Sequence, residues 1–154
     1  MPHHFDWEAL DEAWQLLGHA YVRISGRIER GLQESAALTF SQFRTLLLLS
    51  QVPDGRHMND LAQALAISKS GLTRLIDRLQ AAGLVERVTS PTDRRVVLAR
   101  LTAAGSELLG RALPSYRGAL GSSLGSFLAA EELASLTSVL HRLVEGLEID
   151  DSAA

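Results

Sequence analysis

The cations able to do chemistry in this chain are concentrated in one stretch. Between Ser68 and Arg100 lie Lys69, Arg74, Arg78, Arg87, Arg94, Arg95 and Arg100, against Asp77, Glu86 and Asp93. Seven positive charges against three negative give this block +4, so a whole-chain net charge of −3 leaves −7 on the remainder. Ammonium and guanidinium groups bind phosphate, and a guanidinium can also bond a guanine edge through two parallel N–H donors. The total charge argues against nucleic acid; its distribution argues for it. On charge alone, a plain solvated face is the alternative.

Other chemistries lack their residues. No glycine-rich phosphate loop, nucleophile elbow or His-Glu-x-x-His pattern occurs, and the histidines at 3, 4, 19, 57 and 141 have no ligand spacing. With no cysteine there is no disulfide, thiolate metal site or cysteine redox sensor. No catalytic residue, metal or cofactor is expected.

The elements that must position the basic block are helical. Ser68 is suited to N-cap a helix in which Leu72, Leu75, Ile76 and Leu79 fall at i, i+3, i+4 and i+7. That spacing buries one face and frees the other, which carries Ser68, Lys69, Ser70, Gly71, Thr73, Arg74 and Arg78. Gly83 suits the left-handed position that stops the helix. A short helix at about Asn59 to Leu65 precedes it across the turn Ala66-Ile67-Ser68, completing a helix-turn-helix. Such a pair sets its second helix in a major groove about 12 Å wide, with the first as a brace. Arg74 is then the expected base reader, and Lys69 and Arg78 the phosphate contacts. Leu84 to Val88 and Val96 to Leu101 read as a hairpin with Arg94 and Arg95 at its tip, where they could reach a minor groove. Asp93 and Asp77 have the wrong sign for DNA and are expected to hold arginines in place, Asp77 holding Arg95.

Around this lobe, from about 39 to 102, stand longer helices at about 6–35 and 103–148. Leu10, Trp14, Leu17, Tyr21, Ile24 and Ile28 keep a 4-3-4-3-4 spacing, and Leu133, Leu136, Leu140, Leu143 and Leu147 a 3-4-3-4 seam. Two such seams at opposite ends of the chain suggest one shared homodimer interface. Thr39 with Gln42 reads as a capping box opening a helix that ends before Pro53-Asp54-Gly55. Pro114 should kink the helix that Thr102 caps. At 154 residues the chain is sized for one domain. The lack of a secretory signal and of any 20-residue apolar run points to a cytoplasmic protein away from membranes.

The run Asp60-Leu61-Ala62, Gly71-Leu72-Thr73-Arg74-Leu75-Ile76-Asp77-Arg78-Leu79, Gly83-Leu84-Val85-Glu86-Arg87, Asp93-Arg94-Arg95 and Leu101-Thr102-Ala103-Ala104-Gly105 resembles the multiple antibiotic resistance regulator (MarR) family. One departure is Ala66, where a glycine is common. The resemblance implies a mainly α winged helix-turn-helix fold with a small β-hairpin wing and flanking dimerisation helices. It implies a transcriptional repressor on a palindromic operator of double-stranded DNA, released by a small aromatic or phenolic effector. Such an effector would lie where the dimerisation helices meet the lobe, and Trp14, His19 and Arg23 are candidates to line that cleft. The lack of cysteine speaks against the family's thiol-based peroxide sensors. Two rival readings stay open: a winged helix that meets an acidic protein partner, and a small-ligand carrier or enzyme that does not bind DNA.

Overall fold

The computed structural model describes residues 6–90, 93 and 95–153, with side chains described as far as residue 147. Six α-helices and three short strands follow one another: α1 Trp7–Ala36, α2 Phe40–Ser50, β1 Arg56–His57, α3 Met58–Leu65, α4 Lys69–Ala81, β2 Val85–Thr89, β3 Val97–Leu101, α5 Ala103–Leu120 and α6 Ala130–Ala153. A π-helical turn, Gly121–Gly125, leads out of α5. No helix among the described residues is long and apolar enough to cross a membrane.

Local chemistry sets the helix ends. Asp6 caps α1. The Thr39 and Gln42 side chains each accept from the other residue's backbone N–H, at 3.2 and 2.8 Å, completing the capping box of α2. Helix α3 closes in a Schellman motif: Ile67 N–H reaches the Ala62 carbonyl at 3.0 Å and Ala66 N–H the Gln63 carbonyl at 2.9 Å. This requires Ala66 at φ 53°, so the alanine adopts the left-handed backbone that a glycine would take without strain. The same motif closes α4, with Leu84 N–H on the Leu79 carbonyl and Gly83 N–H on the Gln80 carbonyl, both at 2.9 Å; there the left-handed residue is Gly83, φ 71°.

The three strands form an antiparallel sheet in the order β1-β3-β2, with Arg56 opposite Ala99 and Val85 opposite Leu101. The expected hairpin is there, and β1 adds a third strand that the sequence pattern had not suggested. Helix α5 runs through Pro114 without a break.

One core joins the lobe to the long helices. Leu32 of α1, Phe43, Leu46 and Leu49 of α2, Leu61 of α3, Leu72, Ile76 and Leu79 of α4, Val85 of β2 and Ala112 of α5 are all fully or almost fully buried. Phe43 meets the Tyr116 ring with centroids 4.7 Å apart. Where α5 begins, the Thr102 hydroxyl donates to the Gly83 carbonyl at 2.7 Å and accepts from Gly105 N–H at 3.0 Å. Gly105 thereby comes so close to the sheet that a Cβ there would collide with the Leu84 carbonyl oxygen and lie 2.8 Å from Leu101 Cδ1.

That contact and the turn at Ala66 predict opposite signs. Gly105→Ala should destabilise the protein by roughly 1–3 kcal/mol, because backbone cannot yield as a side chain does. Ala66→Gly should leave stability unchanged or raise it by up to about 1 kcal/mol. Thermal unfolding of the two variants beside wild type measures both, and a Gly105→Ala protein as stable as wild type would contradict the packing described.

Candidate nucleic-acid interface

Burial divides α4 along its length. Leu72, Leu75, Ile76 and Leu79 are buried, whereas Ser68, Lys69, Ser70, Thr73, Arg74 and Arg78 are exposed and Gly71 is half-buried. The Ser68 Oγ accepts from Gly71 N–H at 3.1 Å and lies 3.2 Å from Ser70 Oγ. Thr73 donates its hydroxyl to the Lys69 carbonyl at 3.0 Å. The side chains of Lys69, Arg74 and Arg78 make no hydrogen bond or ion pair with another described residue, so their donors face solvent. Lys69, in the first turn, lies at the positive end of the α4 dipole, whereas Arg78 stands in the last turn.

The anions of the basic block are engaged. Asp77 on α4 binds Arg87 of β2 through Oδ1 and Nη2 at 2.7 Å, and the same guanidinium reaches the Gln80 Oε1. The expectation that Asp77 holds Arg95 is therefore corrected. Strand alternation puts Arg87 on the same face as the buried Val85, which packs toward the helices, and that is the signal that could have identified the partner. Glu86 pairs with Arg100 directly opposite it in the sheet, both contacts at 2.9 Å. Asp93 accepts from the backbone N–H of Arg95 at 2.9 Å, holding the turn rather than a guanidinium of that residue.

At the far end of the hairpin, Ser90 N–H donates to the Val96 carbonyl at 2.8 Å and Val96 N–H to the Asp93 carbonyl at 3.0 Å. Arg95 is exposed on this turn; Arg94 lies outside the described residues. Arg87 and Arg100 are thus tied into the lobe, while Lys69, Arg74, Arg78 and Arg95 stay available on its surface.

Two concavities lie between α1 and the segment from α5 to the start of α6. Arg23 lines an open cleft of about 280 Å³ with Ala20, Ile24, Arg27, Ser123 and Phe127. Arg27 donates there to the Ser122 carbonyl at 3.3 Å and the Ser123 hydroxyl at 3.4 Å. A smaller cavity of about 210 Å³ is walled by Tyr21, Ile24, Ser25, Ile28, Phe40, Tyr116 and Leu120. Trp14 and His19 are exposed on α1 and line neither; Arg23 alone of the three expected residues reaches the cleft. Among the described residues no group of three or more His, Asp or Glu stands close enough to hold a metal ion.

Comparison with known proteins follows the same lines. A family model described as MarR family matches residues 38–96. The transcriptional repressor NicR of Pseudomonas putida is 29% identical over 96% of this chain and 89% of its own length. A MarR family regulator of Streptomyces coelicolor, solved in complex with DNA, superposes with a TM-score of 0.84 at 28% identity, covering 96% of this chain and 92% of that one. AbsC, a second MarR family regulator from that organism, gives a TM-score of 0.83 at 30% identity, covering 96% and 99% of the two chains. From its helix-turn-helix and wing to its long flanking helices, the chain belongs to the MarR family of transcriptional regulators.

Proposed function

We propose that two copies of this chain bind one palindromic DNA operator, each inserting α4 into a major groove. The observation that carries this reading is the division of α4: four aliphatic side chains seal one side while Lys69, Ser70, Thr73, Arg74 and Arg78 are exposed on the other. Arg74 reads a base edge, Lys69 holds a phosphate beside the capped start of the helix, where Ser68, Ser70 and Gly71 keep the surface low, and Arg78 holds another from the last turn. Arg95, with its sequence neighbour Arg94, reaches the adjoining minor groove. Asp77, through Arg87, sets the angle between wing and helix, and Asp93 shapes the wing turn.

The long helices join the copies. Trp14 is 73% exposed and Phe127 74%, and Leu17, Tyr21, Val22, Val139, Leu143, Val144 and Leu147 are exposed with them. That is a larger run of free apolar surface than a lone domain ordinarily shows, and a second copy covering α1 and α6 would bury it. The protein works in the cytoplasm as a DNA-binding repressor, without catalysis. A small aromatic effector releases it by occupying the concavities beside α1, where Arg23 and Arg27 offer charge and Tyr21, Phe40 and Tyr116 offer rings.

Binding to a labelled duplex from the region upstream of the protein's own gene, followed by anisotropy at several salt concentrations, tests the contacts. Arg74→Ala should cost about 1–3 kcal/mol and relax base preference at one position of each half-site. Arg78→Ala should weaken all duplexes alike and lower the salt slope by about one. Wild-type binding by both variants would remove these assignments. Val144→Asp should shift the protein from dimer to monomer in sedimentation and with it abolish tight operator binding; a Val144→Asp dimer that binds as wild type would place the interface elsewhere.

A further inference from the structure

Arg44 of α2 touches both the wall of the cavity and the helix-turn-helix. Its guanidinium carbon stands 5.9 Å from the centroid of the Phe40 ring. Its Nη2 donates to the Ala64 carbonyl at 3.0 Å, across 20 residues of sequence. The last carbonyls of a helix have no partner within it. In α3 the Schellman motif serves Ala62 and Gln63, and Arg44 serves Ala64. Two residues on, Ala66 makes the left-handed turn that delivers Ser68 to cap α4.

Phe40 faces the other way as well. It lines the 210 Å³ cavity with Tyr21, Ile24, Ser25 and Ile28. Its backbone N–H donates to Glu29 Oε2 of α1 at 2.6 Å, which fixes the first turn of α2 against the long helix. One residue therefore walls the cavity, takes its backbone bond from the dimerisation helix and supports the arginine that finishes α3.

We propose that Arg44 is a positioning residue for α4 and that, through Phe40, it couples occupancy of the cavity to the placement of the recognition helix. The proposal rests on the reading that α4 binds DNA and that the cavity takes an effector. Its mechanics are local. An occupant that pushes the Phe40 ring moves one of the two surfaces between which the guanidinium is held, and Arg44 then leaves either the ring or the Ala64 carbonyl. The last turn of α3 loses its side-chain partner, and the turn that aims α4 loses its support. A charge 5.9 Å from a ring centroid is at the edge of cation–π range, so a displacement of about an ångström suffices.

The test measures anisotropy of wild type, Arg44→Met, Ser25→Phe and the double variant on two labelled duplexes, one from upstream of the protein's own gene and one of scrambled sequence, over a range of salt. Ser25→Phe puts a permanent ring into the cavity and replaces an unidentified effector. Circular dichroism melts accompany each protein. Arg44→Met is expected to bind the upstream duplex about tenfold more weakly, with scrambled binding and the salt slope unchanged. Ser25→Phe is expected to weaken the upstream duplex too, and the double variant to bind no worse than Arg44→Met alone. Wild-type affinity in Arg44→Met overturns the proposal. A loss on both duplexes with a salt slope lower by about one makes Arg44 a phosphate contact and overturns it equally. Simple addition of the two losses would show that the cavity does not act through Arg44. If Arg44→Met does not fold, Arg44→Lys decides: it keeps the charge without the planar fork, so the proposal requires it to lose the same specificity, and wild-type behaviour overturns it. A wild-type protein that prefers neither duplex would instead sink the DNA-binding reading itself, along with the proposal.

Discussion

Burial of one side of α4 is the constraint on which the rest depends. Leu72, Leu75, Ile76 and Leu79 enter the same core as Leu61 of α3 and Val85 of β2. Each such side chain contributes on the order of 1.5–3 kcal/mol of gross burial energy, before the entropy of ordering the chain is set against it. The partly exposed ion pairs Asp77–Arg87 and Glu86–Arg100 are each worth on the order of 1 kcal/mol. Burial therefore decides where α4 sits, and the Asp77–Arg87 pair adjusts its angle to the wing. Because both ends of the helix are fixed, by the Ser68 cap and the Gly83 Schellman turn, the free side has little latitude to rotate.

From that constraint follows the charge arrangement. A net charge of −3 is compatible with a phosphate-binding surface because the acids inside the basic block are engaged locally while Lys69, Arg74, Arg78 and Arg95 stay solvated. Among the described residues the lobe is joined to the long helices through few polar links, among them Glu29 on the N–H of Phe40 and Thr102 between Gly83 and Gly105. Apolar contact does the rest, through Leu32, Phe43, Tyr116 and Ala112. A joint of this kind transmits displacement because a packed core has no slack to absorb it.

Much of this was legible in the residues themselves, wherever the deciding chemistry is local. Thr39 with Gln42, Ser68 and Gly83 mark helix ends through bonds spanning three to five residues, and the i, i+3, i+4, i+7 spacing marks the buried side of α4. Strand β1 was missed because two residues carry no alternation; it exists only through pairing with β3, some forty residues later. The partner of Asp77 was missed for a related reason, since Arg87 and Arg95 lie on the same hairpin and only its packing on α4 chooses between them. Trp14 and His19 were candidates for the cleft beside a reading as packing or surface residues, and the two cavities open further along α1, where α5 and the π-turn approach it. Pro114 lies inside α5, which is helical on both sides of it.

Dimethyl sulfate footprinting of an operator duplex tests the central claim most directly, because the reagent methylates guanine N7 in the major groove, where a recognition helix must lie. The free face of α4 predicts protection in two patches centred about one helical turn, or a small multiple of it, apart, with one guanine in each exposed again in Arg74→Ala. Tight binding that leaves every guanine N7 open to methylation would contradict it.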